Sequence, residues 1–122
     1  MKDINDNFLK GRAKSLKYTF KGAYLLLKTE HSIMTQAFVG VIFIVLGFYF
    51  KITKFEWMFQ ILGFGLILTA ESLNTAVEKL CDFVHPDYHK KIGFVKDIAS
   101  GAMIFAVISV LILLAIIYFP YL

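Results

Sequence analysis

Apolar positions follow two rhythms along this chain. From about Phe8 to Lys28, Leu9, Ala13, Leu16, Phe20, Ala23, Tyr24 and Leu27 recur at steps of three and four, with Lys14, Lys17, Lys21 and Lys28 on a flanking face. That is the period of a helix with one greasy side, and a basic helix of this kind settles in a membrane interface. Beyond it the apolar residues run almost unbroken in three stretches, roughly 33–50, 57–70 and 98–118. A helix needs about 20 residues to cross the hydrocarbon of a bilayer. The third stretch suffices alone and the first suffices with its flanks. The second suffices only if its helix continues into the polar sequence after Ala70.

The breaks between stretches are equally legible. Thr29-Glu30-His31-Ser32 is a break or a helix start, where Thr29 or Ser32 can cap the next helix. Lys51-Ile52-Thr53-Lys54 is a tight turn, and His85-Pro86-Asp87-Tyr88-His89 is a loop, because Pro86 lacks a backbone donor and turns His85 away from helical geometry. The pattern predicts an all-α integral membrane protein of one domain, spanning 1–122. Its parts are an interfacial helix over about 8–28 and membrane helices over about 30–50, 55–84 and 96–119. Residues 1 to about 7 are polar and expected to fray. Tyr24, Trp57 and Tyr118 are expected as interfacial anchors, and Ser100-Gly101-Ala102 would admit a close helix neighbour.

Composition agrees: 58% of the 122 residues are hydrophobic. The first 30 residues lack the continuous apolar core of a cleavable signal peptide. Positive charge orients the chain. Lys2, Lys10, Arg12, Lys14, Lys17, Lys21 and Lys28 precede the first membrane helix, and Lys79, Lys90, Lys91 and Lys96 cluster around the second connection, whereas the first connection holds only Lys51 and Lys54. The N-terminus and second connection are therefore expected in the cytoplasm and the tail outside, as in a multi-pass protein of a bacterial inner membrane. The net charge of +4 suits anionic headgroups and nucleotide phosphates. Without a nucleic-acid motif it does not imply DNA or RNA as a partner. Cys81 is the sole cysteine, which excludes an intrachain disulfide.

The chemistry concentrates where the second apolar stretch ends. Glu71, Asn74, Thr75, Glu78 and Asp82 lie within about 100° of one another on a helix. Three carboxylates crowding one face repel, more strongly when partly desolvated, which points to a divalent cation, a proton acceptor, or both. No phosphate loop, dinucleotide fingerprint, zinc-protease or serine-hydrolase motif is present.

Glu71-x-x-Asn74-Thr75-Ala76-x-Glu78, then Asp82, Asp87-Tyr88-His89 and Lys96-Asp97-x-x-x-Gly101, resembles the prokaryotic diacylglycerol kinase family, which includes undecaprenol kinases. The resemblance covers nearly the whole chain. It implies a homotrimeric membrane enzyme that moves the γ-phosphoryl group of ATP, with Mg²⁺, to the hydroxyl of a membrane lipid alcohol, at cytoplasmic sites shared between subunits. Such an enzyme feeds phospholipid or lipid-carrier metabolism. By position Glu71 resembles the family's general base, and Glu30 and Glu78 its metal-binding carboxylates. Arg12, Tyr18, Asp87, Tyr88, His89, Lys96 and Asp97 resemble nucleotide-contacting positions, with Asp82 beside them.

The residue chemistry is consistent with these roles. Phosphoryl transfer needs positioning and charge neutralisation. Mg²⁺ takes one or two protein carboxylates with phosphate and water oxygens. Lys96 and Arg12 supply positive charge, and Asn74 and Thr75 can orient a hydroxyl. The simpler readings are a salt bridge from Glu78 to Lys79 or Lys28, a solvated Asp82, and Asp97 as a cap of the last helix. Two departures bear on the lipid. No Arg-x-Glu follows Glu30, and Phe20 stands where the family often has Trp; with Asn-Thr-Ala and Lys-Thr-Glu these lean toward the undecaprenol kinases. The rival class is a non-enzymatic membrane adaptor or an ion-conducting protein, with the acidic stripe as its path.

Overall fold

The computed structural model describes residues 7–122. Every element among them is helical: α1 (Phe8–Thr29), α2 (His31–Phe50), α3 (Lys54–Val84) and α4 (Lys90–Tyr118), closed by a 3₁₀ turn over Phe119–Tyr121. The polar lead expected to fray lies outside the described residues except for Asn7. That residue caps α1, its side chain accepting from the Lys10 amide at 2.8 Å.

The helix ends show why the breaks fall where they do. Only Glu30, in extended geometry, separates α1 from α2, and it caps α2 without a side-chain bond. Neither Thr29 nor Ser32 is the cap; the Thr29 hydroxyl donates back to the Leu25 carbonyl at 2.7 Å. At the other end of α2, Lys51 takes the left-handed conformation (φ 54°), so that the Ile52 amide reaches the Gly47 carbonyl at 3.1 Å. Thr53 and Glu56 then form a reciprocal capping box that starts α3. The fourth helix begins at Lys90, ahead of the expected 96. His89 caps it, accepting from the Lys91 amide at 3.1 Å. Lysines near a helix start oppose its dipole, so Lys90 and Lys91 do not mark this earlier start. Asp97 consequently sits well inside α4 and is not its cap.

The helix α3 is the centre of the fold, with α4 packed along much of its length and α2 against another side. Ile67, Ala106 and Val110 form the α3–α4 core, and Ile52, Ile117 and Tyr118 form a second one near the Lys51 turn. A polar tie joins three helices there. The Gln60 amide, 2% exposed, donates from Nε2 to the Phe43 carbonyl at 3.0 Å. Its Oε1 accepts from the Tyr118 hydroxyl at 2.6 Å. Tyr118 is thus a buried strut, and the expectation of an interfacial anchor is corrected. Its ring also stands edge-on to Phe43 and Phe50.

Among the described residues two helical stretches, His31–Phe50 and Lys90–Tyr121, are long and apolar enough to cross a membrane. With 31 residues α3 is longer than α2 or α4, but Glu56, Gln60 and Glu71 interrupt it. Large apolar side chains such as Phe48, Phe59, Phe105 and Leu111 project outward, as they do on proteins whose surroundings are not water.

Gly47 is buried against Trp57, and a Cβ there would meet the indole at 2.6 Å. Gly47→Ala is therefore expected to destabilise the fold by about 1–3 kcal/mol through overpacking. Denaturant titration in detergent micelles checks this, with Trp57→Phe in the same chain recovering part of the loss.

Candidate functional site

The end of α3 opposite the Gln60 tie carries the predicted residues, and its stripe splits by environment. Asn74 and Thr75 are buried, Glu71 is half-buried, and Glu78 and Asp82 are exposed. The Asn74 amide donates to the Glu78 carboxylate one turn on, at 3.4 Å, a long and weak bond. Its carbonyl oxygen Oδ1 is buried with no hydrogen-bond partner. Buried polar atoms are almost always satisfied, and this acceptor, on the residue that meets the Glu78 carboxylate, is an exception.

Glu30 comes to this end from outside α3. As the joint between α1 and α2 it is held in extended geometry, and its carboxylate accepts from the Lys79 ammonium at 3.1 Å. Lys79 was expected, at most, as a partner of Glu78; the structure gives it to Glu30 instead. The pair sits at the edge of a cleft of about 720 Å³ between α1 and α3. Gly22, Leu25 and Leu26 wall it on one side, and Ser72, Thr75 and Ala76 on the other. The cleft is mostly apolar with one ion pair and three hydroxyl side chains, Thr29, Ser72 and Thr75, among its residues, which is the character of a pocket for an amphiphile.

Further along, Lys96 of α4 donates to the Asp82 carboxylate at 2.5 Å. Both groups remain accessible, so this pair aligns α4 with α3 more than it stabilises them. In the α3–α4 connection the Tyr88 ring lies over Gly93, where a Cβ would come within 3.3 Å of it. The rings of His85 and His89 stand 5.2 Å apart, and His85 Nδ1 lies 2.6 Å from the Asp87 carbonyl oxygen.

The structure therefore joins Glu30 to α3 through Lys79, Asn74 to Glu78, and Asp82 to Lys96. No hydrogen bond joins Glu30 to Glu78; each carboxylate has its own partner, Lys79 for Glu30 and Asn74 for Glu78. Glu71, Asp97, Arg12 and Tyr18 have no ion pair or side-chain hydrogen bond among the described residues, and Arg12 and Tyr18 lie exposed on α1. Among the described residues no group of three or more His, Cys, Asp or Glu side chains could enclose a metal. The oxygen donors of the kind a hard cation takes at this end of α3 are the carboxylates of Glu30 and Glu78. Sequence reasoning missed Lys79 and the cleft wall of α1. A signal existed, since Gly22, Leu26 and Thr29 follow a four-and-three step on a second face of that helix.

Replacing Asn74 by Leu removes an unsatisfied buried oxygen at similar volume, a change that tends to be neutral or stabilising. Asn74→Leu is expected to keep or raise the thermal midpoint; a marked fall would show that the amide serves packing.

Residues 17–118 match the family described as prokaryotic diacylglycerol kinase. The chain is 33% identical over 100 residues to an undecaprenol kinase of Bacillus subtilis, covering 81% of each. It is 32% identical over 92 residues to a diacylglycerol kinase of Haemophilus influenzae, covering 75% of this chain and 78% of the relative. A diacylglycerol kinase of Escherichia coli is 24% identical over 95 residues, 78% of each.

Proposed function

The chain belongs to the prokaryotic diacylglycerol kinase family, and from that premise we propose that it phosphorylates a membrane lipid alcohol, diacylglycerol or undecaprenol, with MgATP as donor. The observation that carries the reading is an apolar cleft between α1 and α3 that ends on the Glu30–Lys79 ion pair and shares Thr75 with the polar stripe of α3. A lipid alcohol has a long apolar part and one hydroxyl, and the cleft offers the matching sequence of surfaces.

The proposed roles follow from position. A lipid chain lies between α1 and α3, along Leu25, Leu26 and Ala76, with its hydroxyl toward the acidic face. Glu71, half-buried and without a partner among the described residues, takes the hydroxyl proton. The lipid oxygen then bonds to the γ-phosphorus while the bond from that phosphorus to the β–γ bridging oxygen breaks and ADP leaves. Asn74 Oδ1, lacking a partner, accepts from the lipid hydroxyl and orients it, while the Asn74 Nδ2 donates to the Glu78 carboxylate. Glu30 and Glu78 supply the oxygens that would hold Mg²⁺, which when bound would neutralise the triphosphate. Lys96, Arg12 and Lys79 add positive charge. Tyr18, Asp82, Asp87, Tyr88, His89 and Asp97 form the nucleotide side.

Three membrane helices, a cytoplasmic N-terminus and site, α1 in the interface and a homotrimer with shared sites complete the proposal. The outward apolar side chains of α2, α3 and α4 leave ample surface for both lipid and neighbouring subunits. Its place is in phospholipid or lipid-carrier metabolism of a bacterial cell membrane. Between the two lipids, the missing Arg-x-Glu after Glu30 leans toward undecaprenol. An adaptor or ion-conducting role would leave the Lys96–Asp82 end without a purpose, and the kinase relatives argue against it.

Purified protein in mixed micelles, offered γ-labelled ATP with diacylglycerol or undecaprenol separately, is expected to label at least one lipid. No transfer to either would overturn the proposal. Glu71→Gln should reduce turnover by at least about a hundredfold, in line with loss of a general base, with the helical circular-dichroism signal unchanged. Glu30→Ala and Glu78→Ala should each shift the Mg²⁺ titration to higher concentration; unchanged titrations would reject them as metal ligands.

A further inference from the structure

Helix α1 carries six cations, Lys10, Arg12, Lys14, Lys17, Lys21 and Lys28, and no acidic residue. Four of them share a narrow line. At 100° per residue Lys10, Lys17, Lys21 and Lys28 fall within about 40° of one another over about 27 Å of helix. None of the four makes an ion pair among the described residues; the only partner is the Tyr24 ring, 5.5 Å from Lys28 Nζ. Beside this line runs an apolar ridge, Leu9, Leu16, Phe20 and Leu27, each at least half exposed. The ridge faces away from the side of α1 that walls the cleft, where Gly22, Leu25 and Leu26 sit.

An apolar ridge flanked by unpaired lysines is matched by a surface that is greasy below and negatively charged above. We propose that the Lys10–Lys17–Lys21–Lys28 line is a binding surface for the headgroups of anionic phospholipids, which gathers them around α1 beside the cleft. The inference rests on the reading of α1 as an interfacial helix and leaves the phosphoryl-transfer reading untouched. Long lysine stems lie along the ridge while their ammonium groups reach the phosphates. Each lysine near an anionic surface favours it by roughly fivefold. An acid-free line keeps that attraction from being spent inside the protein.

The test uses the full chain in phosphatidylcholine vesicles, with trace spin-labelled phosphatidylglycerol or spin-labelled phosphatidylcholine. The share of each label immobilised by the protein reports its preference. Phosphatidylglycerol is expected to be preferred by at least about threefold at low salt and much less at 1 M salt, since screening acts on exposed charge. The variant with Lys10, Lys17, Lys21 and Lys28 all changed to Gln should lose most of that preference while still transferring phosphate in micelles. Should that variant fold poorly, a Phe20→Trp reporter in a Trp57→Phe background replaces it. Brominated phosphatidylglycerol is then expected to quench more than brominated phosphatidylcholine. Equal immobilisation of both labels, a preference unaltered in the lysine variant, or equal quenching at position 20 would overturn the proposal. So would tight, salt-sensitive capture of duplex DNA by the same lysines in place of lipid. Selectivity that persists when neither lipid alcohol is phosphorylated would instead count against the kinase reading alone.

Discussion

A polar side chain set inside an apolar bundle has to find its partner within the protein, because the surroundings offer none. Gln60 meets that demand with both ends of its amide, binding the Phe43 carbonyl and the Tyr118 hydroxyl. The bonds join α2, α3 and α4 in one place. They fix the rotation of α3 about its own axis, since any turn would withdraw Gln60 from both partners. The orientation of the acidic stripe at the far end follows from that rotation. Individual hydrogen bonds of this kind contribute only about 1 kcal/mol in membrane proteins, so their importance lies in register more than in strength.

The other end of α3 obeys a different rule. There the polar groups are incompletely paired: Asn74 Oδ1 has no partner, Glu71 has none among the described residues, and Glu78 is met only by a long bond from Asn74. A helix satisfied at one end and left wanting at the other is what a site needs when its missing partners are substrates. Lys79 and Lys96 restrain this end from outside the stripe, one toward α1 and one from α4. Charged pairs with this much exposure guide geometry without adding much stability.

Much of the fold could be read from the chain, for physical reasons. The three-and-four step of α1, the apolar runs of α2 and α4, and Pro86 each act locally, so their consequences appear in short windows of sequence. The stripe on α3 was visible because helix periodicity maps sequence directly onto a face. What stayed hidden depends on neighbours distant in sequence. The partner of Tyr118 is 58 residues away, and nothing near Tyr118 distinguishes a buried strut from an interfacial ring. The Glu30–Lys79 pair likewise joins residues 49 positions apart, about two-fifths of the chain. The early start of α4 was hidden by its own lysines. The cleft wall on α1 was obscured because that helix has two apolar sides, and the stronger one points outward.

The joint between α1 and α2 is a single extended residue. With no loop to absorb motion, two backbone torsions at Glu30 set how the first helix leans against the second, and the same residue carries the carboxylate at the edge of the cleft. Lean and carboxylate placement thus form one mechanical coordinate. Whatever tips the first helix against the second turns the acid with it, and whatever draws on the acid is felt in the tilt of the helix.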